Sequence, residues 1–258
     1  MKMKTRTFRE LLGYSPIKRE IAEEKILDFA AFDGISFQDA LENLDKCRKG
    51  VLEKEWYMWL NIGLPDYEIY QHSLFKYDNY DWYFTNSEHD FIWTLDKMND
   101  MEIEGKVIDF GGGNGDFAIA MNALAYDITY YNLPGDTTEF VKWQTRKDLS
   151  LNIATELPDE KFQVVTAFEV SEHFEHPQEF IDQILSLIEP GGIFIETSSF
   201  SSKSCGHFDM YYFDGQAVDM KATGRRFGKE MRKHFSMEAH GWNGRPKIWR
   251  RNERKKNV

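Results

Sequence analysis

The stretch VIDFGGGNGDFAIA, residues 107–120, constrains the fold more than any other part of the chain. A short apolar run passes straight into glycines and then into a helical pattern. Glycines at a strand-to-helix turn let backbone N–H groups approach a bound molecule closely. Two ligand classes compete for such a loop. Gly113-x-Gly115-x-x-Ala118 satisfies the dinucleotide fingerprint. Asp109, however, sits in the strand just before the glycines, where its charge would face a pyrophosphate at short range. The same carboxylate suits a ligand with an ammonium group and no phosphate.

From Lys106 onward strand and helix patterns alternate. KVIDF, DITYYNL, FQVVTAF and IFIETSS read as strands. GDFAIAMNALA, TTEFVKWQTRKDL and PQEFIDQILSLI read as helices, the last opened by Pro177 and followed by a turn at EPGG. Repeated βα units imply a parallel sheet covered by helices on both faces. FSMEAHGW and PKIWRRN, separated by NGR, read as a closing antiparallel pair.

The first hundred residues differ. Helical spacing runs through PIKREIAEEKILDFAAF, through SFQDALENLDKC with Ser36 as its cap, and through NSEHDFIWTLDKM, where Ser87 and Asp90 precede an apolar stripe. Residues 56–93 hold 13 aromatics in 38 positions. That density suits either a pocket wall for a flat or sugar-like substrate or the packing face of a helical cap. The expected division is an N-terminal helical, aromatic-rich cap over residues 1–100 and an α/β domain over 101–258, with the break near NDMEIEG.

A length of 258 residues with 41% hydrophobic content accommodates one sizeable core plus an accessory region. No apolar run reaches the roughly 18–20 residues that cross a bilayer, and MKMKTRTFRELLGYSP lacks a signal-peptide core. A cytoplasmic protein with no membrane partner is expected. Cys47 and Cys205 lie far apart without metal-type spacing and read as ordinary thiols. From Lys221 to the end there are 13 Lys/Arg and 3 Asp/Glu, a net of +10, whereas the preceding residues carry 19 and 40, a net of −21. Such an end attracts phosphates, or serves as a solvated tail or a basic hairpin that neutralises the acidic body. The body's charge argues against a nucleic-acid partner.

VIDFGGGNG resembles the first motif of class I S-adenosylmethionine-dependent methyltransferases, a strand with an acidic residue followed by Gly-x-Gly-x-Gly. FQVVTAFEVSEHFEHPQEFIDQILSLIEPGGIFIETS is similar to the fourth and fifth strands of that superfamily, especially in relatives of the ubiquinone-biosynthesis O-methyltransferases. The resemblance covers about residues 105–200. It implies a Rossmann-like, mostly parallel sheet with a closing antiparallel pair, and S-adenosylmethionine as cofactor. Carried over by position, Gly111, Gly113 and Gly115 wrap the methionine part and Asp109 lies near its amino group. Asn132 stands where the family usually has an acidic residue for the ribose hydroxyls; an amide still offers an acceptor and a donor. Asn152 and Glu156 are the candidates beside the adenine, and Phe168 and Val170 supply apolar contacts.

FEVSEHFEHP, residues 168–177, concentrates three carboxylates and two imidazoles behind a strand. If the chain turns helically there, Glu169, Glu172 and His173 stand at i, i+3 and i+4 and converge. Two carboxylates and an imidazole can hold a divalent cation such as magnesium, manganese, iron or zinc. The resemblance adds that metal-dependent members of the superfamily show ExxEH, in ubiquinone-type O-methyltransferases and in small-RNA 3′-end 2′-O-methyltransferases. The latter add a distant histidine, a part His207 of CGHFD could play, so Glu172, His173 and His207 are the expected catalytic set. A metal would lower the pKa of an acceptor hydroxyl and fix it in line. Two other readings stay open: His173 as a general base without metal, and EH as a mere turn cap. Glu175 and His176 are expected to face solvent. The expected activity is O-methylation of a small-molecule hydroxyl, on a sugar, a catechol or similar vicinal oxygens. The alternatives are a nucleic-acid 2′-O-methyltransferase and a non-catalytic cofactor-binding scaffold.

Overall fold

The computed structural model describes residues 18–63, 66–82, 88–146 and 150–253. Ser87, the expected cap of one helix, lies outside the described residues. Nine strands are described: β1 (Val107–Phe110), β2 (Ile128–Tyr131), β3 (Asn152–Ala154), β4 (Phe162–Phe168), β5 (Ile188–Thr197), β6 (Met210–Phe213), β7 (Gln216–Asp219), β8 (Phe235–His240) and β9 (Lys247–Arg251). Seven form one sheet in the order β3-β2-β1-β4-β5-β9-β8. The first five are parallel, β9 pairs antiparallel with β5, and β8 with β9. This is the mostly parallel Rossmann-like sheet with the closing antiparallel pair that the sequence leads one to expect.

The sheet sits between two apolar layers because its strands alternate. Val107, Val164, Ile193 and Ile248 face α5 (Glu88–Asp100) and α6 (Asp116–Ala123), where Phe91, Leu95, Met98, Phe117 and Met121 are buried. Ile108, Phe110, Val165, Phe194 and Trp249 face the opposite layer, which holds Phe140 of α7 (Asp136–Thr145), Phe180 and Ile184 of α8 (Pro177–Leu187) and Phe227 of α9 (Met220–Met231). Strands buried on both faces are the reason β1 reads as a continuous apolar run interrupted only by Asp109.

The helices that precede the sheet are α1 (Lys18–Asp33), α2 (Phe37–Arg48), α3 (Val51–Ile62) and α4 (Phe75–Trp82). Ser36 caps α2 in a reciprocal capping box with Asp39. Most aromatics of this region pack: Trp56, Tyr77 and Tyr80 are buried in the same core as α8. The fully buried Lys76 pins α4 to the sheet domain, with its Nζ 2.8 Å from Asp33 and 2.5 Å from Asp136. No helix among the described residues is long and apolar enough to cross a membrane.

Two features depart from the sequence reading. EPGG does not close a simple turn: Phe162 pairs with Ile188 and the next pair is Val164 with Ile193, so residues 189–192 bulge out of the β5 ladder. Between β5 and α9 lies a separate hairpin, β6 and β7, turning at Asp214 and Gly215, both with positive φ.

Candidate active site

Behind β1 the chain turns at Gly111 and Gly113, whose φ values of +71° and +52° favour glycine. A Cβ on Gly111 would stand 2.7 Å from a Val170 methyl, and one on Gly112 would stand 2.7 Å from Asp109 Oδ2. At Gly113 a Cβ would approach only Asn79, at 3.6 Å, so this residue keeps space open in the cavity it lines. Gly115 is different. It precedes α6, outside the cavity lining, and a Cβ there would lie 2.9 Å from Val141. Gly115 therefore lets α6 pack on α7. The Tyr130 hydroxyl donates to Gly113 O at 2.7 Å, and Asn132 Nδ2 donates to the Tyr130 oxygen at 3.0 Å, which fixes the loop from below. Asn114 Nδ2 donates to Lys76 O at 2.8 Å and ties the loop to α4.

A cavity of about 430 Å³ opens at the carboxyl ends of β1 and β4, a size suited to small molecules. The N-terminal region contributes Tyr70, Phe75 and Asn79 to its wall, and the chain after β5 contributes Ser202, Cys205 and His207. Asp109 reaches this cavity although only 2% exposed. Its Oδ1 accepts from the Thr166 hydroxyl at 2.9 Å, while Oδ2 has no hydrogen-bond partner. Burial pushes the carboxyl pKa up to about 7, against the opposing Thr166 bond. An orphaned carboxylate oxygen beside a glycine loop is a place for a cationic donor from a ligand.

Asn132, Phe168 and Val170 also line the cavity, with Phe168 held by Phe91 and Phe117 at ring separations of 4.5 and 5.1 Å. The adenine candidates do not. Asn152 is exposed and bonded to Thr129, and Glu156 is exposed; neither lines the cavity. Glu175 and His176, expected in solvent, both line it; His176 is exposed as expected, and Glu175 is half-buried.

The histidine–carboxylate cluster is arranged otherwise than helical spacing implies. Glu169 takes a φ of +55° and only Ser171–His173 form a short 3₁₀ turn, so the i, i+3, i+4 geometry is broken. Glu169 Oε1 stands 2.8 Å from Arg245 Nη2, which also meets Asp90 at 2.9 Å. Glu172 is fully buried, lies outside the cavity lining, and accepts from Ser199 N at 2.6 Å. Burial and the neighbouring Glu169 carboxylate raise its pKa well above the ordinary carboxyl range. Among the described residues no group of three or more His, Cys, Asp or Glu stands in position to hold a metal ion. The expected set of Glu169, Glu172, His173 and His207 is thus not assembled as one coordination sphere, because each carboxylate is engaged by another partner.

The two histidines do meet, with ring centres 5.0 Å apart. Burial, reinforced by His207, lowers the His173 pKa to about 3. His207 is anchored: its Nδ1 lies 2.8 Å from Ser202 O, an acceptor only, so Nδ1 carries the proton and Nε2 keeps a lone pair. Burial lowers its pKa too, and it is the neutral ring that lines the cavity. Trp56 of α3 donates to His207 O at 2.6 Å and packs edge-on against Phe208 at 5.3 Å. No sequence spacing connects Trp56 to His207; their contact bridges 151 positions.

The family model described as "Methyltransferase domain" matches residues 88–238. The chain belongs to that family. Together with the strand order and the buried strand-end carboxylate, this places it among the class I S-adenosylmethionine-dependent methyltransferases. A curated relative, the mitochondrial ubiquinone biosynthesis O-methyltransferase of Candida albicans, is 30% identical over 112 residues. That match covers 39% of this chain and 34% of the relative, so the chain spans about a third of the curated protein it matches. Among solved structures, the PH0226 protein of Pyrococcus horikoshii is 15% identical with a TM-score of 0.47, covering 64% of this chain and 91% of that one. The N-methyltransferase NodS of Bradyrhizobium japonicum, solved with S-adenosylhomocysteine, is 14% identical with a TM-score of 0.46, covering 62% of this chain and 85% of that one.

Proposed function

We propose that this methyltransferase methylates a hydroxyl of a small molecule, with residues 1–100 as a cap over the reaction chamber in residues 101–258. The observation that carries the reading is His207, held in the cavity as a neutral ring whose protonated Nδ1 is tied to Ser202 O. A hydroxyl needs such a base and a free amine does not. The name of the curated O-methyltransferase relative supports the same reading.

S-adenosylmethionine, when bound, supplies an electrophilic methyl group on sulfonium. The orphaned Asp109 Oδ2 fits its ammonium, the bare Gly113 leaves space for its chain, and Asn132, Phe168 and Val170 would hold the rest. His207 accepts the acceptor's proton at Nε2, and Ser202 O stabilises the imidazolium through Nδ1–H. Trp56 and Ser202 keep the ring from turning away. Glu172, fully buried and accepting from Ser199 N, joins the turn after β4 to Ser199 and acts as a brace. No step is assigned to a metal, since the residues present do not form its ligand set.

His207→Ala tests this. It should lower kcat by about 10²–10⁴-fold while leaving S-adenosylhomocysteine affinity nearly unchanged. The pH–rate profile of the parent should stay flat down to the ordinary histidine range and fall only below it, because burial lowers the His207 pKa. Full turnover by His207→Ala, or methyl found on nitrogen in the product, would contradict the assignment.

A further inference from the structure

The cavity wall carries a charge pattern that the methyl transfer itself does not require. Six carboxylates line it, Asp78, Asp109, Asp116, Glu169, Glu175 and Glu179, and no Lys or Arg is among the described lining residues. Asp116 meets Lys25 at 2.7 Å and Glu169 meets Arg245 at 2.8 Å, both from behind, and Asp78 is engaged by a partner of its own. Asp109 presents its orphaned, buried oxygen to the cofactor side.

Glu175 and Glu179 are placed differently. They flank the start of α8, four residues apart, and Gln183 follows after another four and lines the same cavity. That spacing sets Glu179 and Gln183 on one face of the helix. Neither glutamate has an ion-pair partner within 4 Å among the described residues, and the wall continues through the rings of Tyr70, Phe75 and Phe174. Glu175 is half-buried and Glu179 exposed, so the pair stands on the solvent side of the cavity, where carboxylates interleaved with aromatic faces attract a cation by charge and by ring quadrupole. Around Glu175 and Glu179 the described lining residues offer no cation to meet an acceptor's phosphate or carboxylate.

We propose that the acceptor is a hydroxylated cation, an amine held by Glu175 and Glu179 while its hydroxyl meets His207. This rests on the O-methylation reading for the hydroxyl and on the wall charges alone for the amine, so the two can fail separately.

The test uses matched catechols that differ only in end group, dopamine and 3,4-dihydroxyphenylacetate, on the full chain saturated with S-adenosylhomocysteine for binding and with S-adenosylmethionine for turnover. Dopamine should bind at least about tenfold more tightly, and its methyl should appear on oxygen. Glu175→Gln with Glu179→Gln should shrink that ratio to about twofold or less with unchanged S-adenosylhomocysteine affinity, and Glu179→Lys should reverse the preference. Equal binding, preference for the acid, no binding of either catechol, or a ratio untouched by the glutamate variants would overturn the proposal. Tight dopamine binding with transfer to nitrogen would keep the charge assignment and sink the oxygen one.

Discussion

At the scale of single residues, burial shifts two groups that line the cavity toward their neutral forms, Asp109 upward and His207 downward in pKa. Asp109 was legible in the sequence because an acid directly before a glycine turn conflicts with a phosphate ligand; its depth in the sheet explains why it titrates near 7. Its carboxyl binds a proton more tightly folded than unfolded, so between about pH 4 and pH 7 the folded state carries the extra proton and stability falls as pH rises. Asp109→Asn should remove that decline. At pH 8 the variant should be more stable than the parent by about 2–4 kcal/mol, and at pH 4 nearly equal, as read by denaturant unfolding of the ligand-free protein. A variant less stable than the parent at pH 8 would show that the carboxylate is satisfied in the fold. The glutamates behind β4 were less legible. Their spacing converges only if the chain is helical, whereas Glu169 has a positive φ and pairs with Arg245, 76 positions away, which no local pattern announces.

Among the elements, the glycine loop shows how one motif serves two purposes. Gly113 faces the cavity and Gly115 faces Val141 of α7, although the sequence presents them as equivalent. Both have positive φ, so alanine at either incurs about 1–2 kcal/mol of backbone strain. Gly115→Ala adds overpacking against Val141, about 1–3 kcal/mol more, and should lower the thermal midpoint further than Gly113→Ala does. Gly113→Ala should weaken S-adenosylhomocysteine binding about tenfold or more, since its methyl enters the ligand's space, whereas Gly115→Ala should change it little. Equal loss of affinity in both would mean the loop reads the cofactor as a unit. The alternating strands and helices were legible because burial on both faces writes long apolar runs. The β6–β7 hairpin was missed, yet Asp214-Gly215 between YYF and QAV is a two-residue hairpin signal that a closer reading for turns would find.

Across the whole molecule, the charge asymmetry is partly resolved within the fold. Arg245 reaches Asp90 and Glu169, and Lys247 reaches the buried Glu196, so the closing hairpin neutralises carboxylates of the body. What composition alone could not place is how the N-terminal helices meet the cavity. Trp56 holds the loop of His207, Lys76 bridges Asp33 and Asp136, and Asn114 joins the glycine loop to the same lysine's carbonyl. N-terminal helices, loop and sheet together leave Asp109 buried, and the cofactor's ammonium should meet that carboxyl only after it ionises. Calorimetric titration with S-adenosylhomocysteine at pH 6, in two buffers of different ionisation enthalpy, measures this directly. The account predicts release of about one proton per molecule bound, tighter binding as pH rises toward 8, and neither effect in Asp109→Asn, which should bind more weakly throughout. Binding without proton release in the parent, or equal affinity in the variant, would contradict it.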